Sequence, residues 1–205
     1  MTRDLTKRLH KIPRYFRQIL SDVLHDEHAR RAFANNAFDG ALTFLGILMG
    51  NLILPQFQPS AVIKIGLSTC LAIGMSGGFG RYISERAERK RSLNQMGKDM
   101  LTDLSDTSLG RESAGKIFSI SLIDGISPAL AALIPLAPFF LAEFSVISIS
   151  VSIVASLVLV GVVLFGLGIF LGKISEENAL IYGGVTVIVG FVTSVIILLA
   201  SIYFQ

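Results

Sequence analysis

Two aspartates within apolar runs are the residues of this chain whose type and position point most directly to chemistry. Asp39 is followed by Gly40 inside the first long apolar run, and Asp124 is followed by Gly125 inside the third. A carboxylate at the centre of a membrane helix costs roughly 2.5–3.5 kcal/mol on insertion scales. Because such residues usually face protein or a water-filled path and commonly mark ion routes, both positions favour a membrane transporter of cations.

The chemistry expected at these positions is the binding of a divalent metal ion. Pro128 follows Asp124 by four residues and has no N–H, so the Asp124 carbonyl loses its helical partner. Carboxylate and carbonyl oxygens suit Mn²⁺, Fe²⁺, Mg²⁺ and Ca²⁺, and Met75 would add a soft ligand that favours iron. Thr43 lies one turn after Asp39 on the same polar stripe. The alternative is that each aspartate caps a helix or hydrogen-bonds nearby backbone.

An aspartate that binds a metal ion and H⁺ alternately gives the simplest mechanism of antiport. A metal ligand must be deprotonated, so binding of the metal releases the proton. No ATP-binding motif is present, so we expect secondary transport without a cofactor, the metal being cargo. All three histidines precede the first apolar run, and none belongs to an HExxH motif. We therefore do not expect an enzyme.

The composition predicts an all-α integral membrane protein that contains these aspartates. Apolar residues make up 52% of the chain and charged residues 16%, against about 25% in soluble domains. Each apolar run is close to the roughly 20 residues that a helix needs to cross hydrocarbon. We predict five transmembrane helices, at 35–55, 61–84, 117–141, 145–171 and 180–203.

Basic residues set the predicted topology. Eight Lys and Arg lie in residues 1–33 and eight more lie between Arg81 and Lys116. The positive-inside rule places both regions in the cytoplasm and the C-terminus outside or in a lumen. This placement explains the basic clusters better than binding to nucleic acid. The predicted domains are a cytoplasmic amphipathic helical segment at 1–33 and a five-helix transmembrane domain at 34–205, which includes a helical cytoplasmic loop at 85–116.

The cytoplasmic loop and the glycines carry further candidate residues. The loop begins as a continuation of the second span, and Leu93 to Leu104 is expected to form a second short helix. Its acidic residues would collect cations or would simply be solvated; the candidates are Glu85, Glu88, Asp99 and Asp103. Small residues four apart let helices approach closely, and the predicted packing positions are Gly46, Gly50, Gly74 and Gly78.

Four stretches together resemble the vacuolar iron transporter family, which includes related manganese transporters. They are FDGALTFLG at 38–46, SGGFGRYIS at 76–84, ALIPLAPF at 132–139 and LFGLGIFLGK at 164–173. The resemblance covers about residues 34–203, and it rests on the order and spacing of the motifs. It implies a homodimer with the path between protomers, and proton-coupled export of Fe²⁺ or Mn²⁺ from the cytoplasm.

The resemblance also assigns roles to individual residues. The first-span carboxylate of the family corresponds to Asp39, and the acidic position after the second span corresponds to Glu88 and less closely to Glu85. The family often has a methionine where this chain has Gly77, with Met75 two residues earlier. The cytoplasmic metal-binding domain is reduced here, as in a short prokaryotic-like member, which favours a prokaryotic cell membrane over a vacuole. The competing hypothesis is a non-transporting scaffold or sensor that acts through its basic N-terminal segment.

Overall fold

The computed structural model describes residues 27–54, 56–101 and 108–203, and this part of the chain is built from helices without strands. The predicted amphipathic helix falls almost entirely on residues 1–26 and lies outside the described residues. The five helices, numbered in chain order, are α1 Glu27–Leu52, α2 Pro59–Asp99, α3 Ser108–Glu143, α4 Ile149–Ile174 and α5 Ala179–Tyr203.

Four of these helices are long and apolar enough to cross a membrane. They are α2, α3 from Ile120 onward, α4, and α5 as far as Ser201. The prediction of a helical membrane protein is confirmed at this level. Helix α1 is not one of the four found in the described part of the chain. That α1 is also a span stays a prediction.

Helix α2 is much longer than a membrane span requires. Its 41 residues extend about 60 Å at roughly 1.5 Å per residue, twice the ~30 Å hydrocarbon core. The prediction that a separate short helix begins at Leu93 is wrong, because α2 continues without a break to Asp99. The charged sequence after Ser84 lacks proline and consists mainly of good helix formers, so nothing interrupts the helix there. Leu101 then has a positive φ of 53°, the left-handed conformation in which many helices end.

The chain divides into two compact units. The first, here called the charged unit, contains the start of α1 up to Phe33 together with Gly77–Asp124. The second, the apolar unit, contains Ala34–Ser76 and Gly125–Gln205. Helices α1, α2 and α3 each contribute residues to both units, whereas α4 and α5 belong to the apolar unit alone.

Small residues and hydroxyl groups bring α4 and α5 together within the apolar unit. A Cβ added to Gly168 would lie 2.6 Å from the Gly183 Cα. The Thr186 hydroxyl, one turn beyond Gly183, donates a hydrogen bond of 2.8 Å to the Leu164 carbonyl. Close backbone approach of this kind is how membrane helices associate where apolar burial supplies little driving force.

Helix α3 brings three prolines into the interior of the same unit. Pro128 and Pro135 are fully buried, as are the neighbouring side chains of Leu136 and Phe139. The Ser156 hydroxyl of α4 donates a hydrogen bond to the Pro135 carbonyl. Each proline frees the carbonyl four residues earlier, so the Ser156 bond to the Pro135 carbonyl is a further contact that ties α3 to α4.

Candidate functional site

Asp39 lies on the exposed face of α1. Asn35, one turn earlier, is also exposed, whereas Ala34, Ala37 and Ala41 on the other side of the helix are buried. Residues four apart lie on the same helical face, so α1 presents a polar stripe outward and an alanine-rich face inward. The predicted stripe of Asn36, Asp39, Thr43, Gly46 and Gly50 is not uniform, since Asp39 and Gly50 are exposed whereas Asn36, Thr43 and Gly46 are half-buried.

The backbone beside Asp39 is held by a close helix crossing. Gly40 is buried, and a Cβ at this position would lie 2.6 Å from the Pro128 Cα of α3. Real Cβ atoms do not come that close to backbone, so the crossing requires glycine. The same crossing borders a small cavity lined by Thr43, Thr69, Cys70 and other residues. Thr43 thus lies beside a pocket with mostly apolar walls and not within a cluster of cation ligands.

Asp124 has a different environment in the charged unit. It is 6% exposed, and its Oδ2 lies 3.6 Å from Nε of Arg81 on α2. Arg81 Nη2 also lies 3.2 Å from Oε1 of Glu85, one turn along the same helix. A buried carboxylate is expensive without a countercharge, and Arg81 provides one.

Arg81 is the residue that reasoning from the sequence missed. Its charge was assigned only to the basic clusters that set topology. The signal that could have found it is the position of Arg81 inside the predicted span 61–84, because a charged side chain within a span usually pairs with another polar or charged group. A buried aspartate on a neighbouring helix then needs such a partner.

The remaining candidate ligands that the structure describes do not come together. Met75 is 59% exposed, and Glu88 and Asp99 are exposed. Asp103 lies outside the described residues. Within the described ranges, no three His, Cys, Asp or Glu side chains are grouped so that they could hold a metal ion. Of the collecting residues that the structure describes, Glu85 alone approaches Asp124, and it does so through Arg81.

The predicted packing glycines differ in what they face. A Cβ at Gly74 would lie 2.8 Å from the Gly125 carbonyl oxygen, which marks a close approach of α2 and α3. At Gly46 it would reach only the Ile197 side chain, at 3.8 Å, and at Gly50 it would meet open space. Gly78 is half-buried. The structure therefore makes Gly74 a packing position and gives Gly50 no such role among the residues it describes.

Comparison with known proteins gives one informative match. No protein-family model matches the chain. No solved structure matches it either. The chain is 30% identical over 176 residues to the uncharacterized protein MJ0645 of Methanocaldococcus jannaschii, and the match covers 84% of this chain and 88% of that protein. Identity at this level over most of both chains means that this protein belongs to the same family as MJ0645.

Proposed function

We propose that this protein is a secondary transporter that exports a divalent metal ion, Fe²⁺ or Mn²⁺, from the cytoplasm in exchange for H⁺. Asp39 is the central residue of the proposed pathway, and Asp124 is a second carboxylate on it. The proposal rests on the exposed carboxylate of Asp39 in helix α1 and on the sequence resemblance to iron and manganese transporters. It includes α1 as a fifth membrane-spanning helix.

The observation that carries the proposal is the exposed carboxylate of Asp39 on a helix packed among apolar helices. Gly40 packs on Pro128 of α3, and Gly46 faces Ile197 of α5, two helices apolar enough to span a membrane. A carboxylate that is exposed at such a place cannot face hydrocarbon cheaply. We infer that it faces water or a second protein chain, and both occur where an ion crosses a membrane.

A homodimer is part of the proposal. One chain offers exposed Asp39 and exposed Met75 but groups no three metal-binding side chains in its described part. A divalent cation of this class takes several oxygen, nitrogen or sulfur ligands. A second copy would supply the missing ligands if the path runs between protomers, as the resemblance implies. The proposed location is a prokaryotic cell membrane, with the N-terminus in the cytoplasm.

The test is uptake of Fe²⁺ and Mn²⁺ into proteoliposomes under an imposed pH gradient. Asp39→Ala and Asp39→Asn should each lower gradient-driven uptake at least about 100-fold, because no carboxylate is left to exchange metal for H⁺. Asn35→Ala, on the same exposed face one turn away, is the matched control and should retain uptake.

Two results would decide against transport by this route. Folded wild-type protein that moves neither ion under any gradient would refute the iron and manganese proposal. Uptake that survives Asp39→Asn would remove Asp39 from the pathway. The scaffold or sensor hypothesis instead predicts that both Asp39 variants are tolerated and that deletion of residues 1–26 abolishes the cellular function.

A further inference from the structure

A row of exposed side chains on α2 changes from apolar to basic where the helix leaves the predicted span. Phe79 and Ile83 are 59% and 64% exposed, and Arg86 and Lys90 follow them as exposed basic residues. Positions three and four apart lie on one face of a helix, so these four side chains form one continuous row. We call this row the α2 stripe.

The neighbouring acidic residues leave the α2 stripe positively charged. Glu88 is exposed and lies two residues from both Arg86 and Lys90, which places it on nearly the opposite side of the helix. Glu85 contacts Arg81, with 3.2 Å between Oε1 and Nη2. Among the residues that the structure describes, no acidic side chain forms an ion pair with Arg86 or Lys90. The stripe therefore presents two positive charges directly beside exposed apolar surface.

The position of the α2 stripe along the helix places its basic end at a membrane surface. The 41 residues of α2 are about twice as long as the ~30 Å hydrocarbon core, and the apolar sequence lies before Ser84. Arg86 and Lys90 follow within two turns, at the level of the lipid headgroups. Because Cα–Cβ bonds tilt toward the N-terminus of a helix, both side chains lean back toward Ile83 and the bilayer.

We propose that the α2 stripe is a binding site for an anionic phospholipid. An acyl chain lies against Phe79 and Ile83, and the headgroup phosphate lies between Arg86 and Lys90. Side chains four apart on a helix have Cβ atoms about 5–6 Å apart, so a guanidinium and an ammonium can contact one phosphate. Arginine binds a phosphate through two parallel hydrogen bonds, and lysine binds it as a point charge.

Charge and position favour a lipid over two other occupants of this helix face. A free phosphate would contact Arg86 and Lys90 but would leave Phe79 and Ile83 uncovered. Homodimers most often have two-fold symmetry, and a second copy packed on this stripe across an axis along the membrane normal would bring the basic pairs together, where like charges repel. A lipid matches both the apolar and the basic half of the stripe.

The test is lipid binding to the purified, delipidated full-length protein in a neutral detergent, measured by native mass spectrometry. Phosphatidylglycerol should bind at least about tenfold more tightly than phosphatidylcholine with the same acyl chains. The double variant Arg86→Gln with Lys90→Gln should weaken phosphatidylglycerol binding about 25-fold, since each basic residue near an anionic lipid contributes about fivefold. Its binding of phosphatidylcholine should change by about twofold or less.

Arg91→Gln with Lys98→Gln is the matched control for the double variant. Both residues are exposed on α2, and they lie seven apart on a face about a third of a turn from the α2 stripe. The control removes the same charge from the same helix, so phosphatidylglycerol affinity should stay within about twofold of wild type. Ile83→Ser keeps every charge and should weaken both lipids by a similar factor, because it removes apolar contact with the acyl chain.

Four results would overturn the inference. Folded wild-type protein might bind both lipids equally, which would show that the stripe does not distinguish lipid charge. Equal losses in the double variant and its control would show that net charge alone attracts the lipid. Loss of a dimer in the double variant, with phosphatidylglycerol binding unchanged, would make the stripe an interface between copies. Displacement of the lipid by millimolar inorganic phosphate would assign the basic pair to free phosphate.

A single variant keeps the test decisive if the double variant does not fold. Lys90→Gln changes one exposed side chain and should weaken phosphatidylglycerol binding about fivefold, and an unchanged affinity would also overturn the inference. None of these measurements involves ion transport. Failure of the transport proposal in proteoliposomes would therefore leave the lipid site standing, and failure of the lipid site would leave the transport proposal standing.

Discussion

The two Asp-Gly pairs have the same sequence and opposite surroundings. Asp39 is exposed on α1, while the adjacent Gly40 is buried where a Cβ would lie 2.6 Å from the Pro128 Cα. Asp124 is buried and faces Arg81, and the carbonyl of the adjacent Gly125 faces Gly74. The glycine marks a close helix approach in both pairs. Among the described residues, however, only the carboxylate of the second pair has a protein countercharge.

The comparison shows that the glycine of an Asp-Gly pair allows close packing in both places, whereas the aspartate has a different electrostatic environment in each. Close packing follows from the missing Cβ, which is a property of glycine itself. The state of the carboxylate depends on what a neighbouring helix supplies. Arg81 supplies a guanidinium to Asp124, whereas Asp39 is presented outward, where water, a cation or a second chain can reach it.

The largest effect should come from the glycine of the first pair. Gly40→Ala places a methyl group 2.6 Å from the Pro128 Cα, a backbone atom that cannot rotate away. Overpacking costs typically about 1–3 kcal/mol and occasionally more, and we expect about 3 kcal/mol here. The measurement is the thermal unfolding midpoint in detergent, with size-exclusion chromatography to detect loss of folded protein.

Gly50→Ala on the same helix is the matched control. A Cβ at Gly50 meets nothing within 4 Å, so this change should be neutral or should stabilise by up to about 1 kcal/mol through helix propensity. Equal effects of the two substitutions would show that the Gly40–Pro128 crossing is not close in the folded protein.

The next largest effect should separate the two carboxylates. Asp124→Asn removes the buried partner of Arg81 and should destabilise the protein by about 1–3 kcal/mol. This loss is smaller than that for a fully buried ion pair, because Arg81 is one-third exposed and keeps Glu85 as a partner. Asp39→Asn is an exposed change and should stay within about 0.5 kcal/mol. The same unfolding assay measures both, and a larger loss at Asp39 would reverse the comparison.

Much of the helical architecture was predictable, because long apolar runs and proline positions are local properties of the sequence. The apolar stretches identified α2, the second half of α3, α4 and α5 as helices able to cross a membrane. The break expected at Leu93 was wrong, because no proline interrupts the helix formers of α2 there, and the single Gly97 does not end the helix. Charge alone, which changes sharply after Ser84, does not end a helix.

The surroundings of the candidate residues were much less predictable. The spacing around Asp39 indicated a polar stripe, but Asn36, Thr43 and Asp39 differ in exposure because the crossing at Gly40 sets the rotation of α1. The partner of Asp124 is 43 residues away in sequence, counted from Arg81. No local pattern carries that pairing, since it depends on which faces of α2 and α3 meet.

The smallest effect should come from the glycine that faces the second pair. Gly74→Ala places a Cβ 2.8 Å from the Gly125 carbonyl oxygen, with the next atom at 3.8 Å. The contact is with a backbone atom that cannot rotate away, but it involves one atom within 3 Å, where Gly40 meets three atoms of Pro128. The alanine also gains up to about 1 kcal/mol of helix propensity. We expect a net loss of about 1 kcal/mol or less in the unfolding assay. Gly80→Ala, which meets nothing within 4 Å on the same helix, should show the gain alone. A loss at Gly74 as large as that at Gly40 would mean that both Asp-Gly pairs lie at equally rigid crossings, and the two would then differ only in their carboxylates.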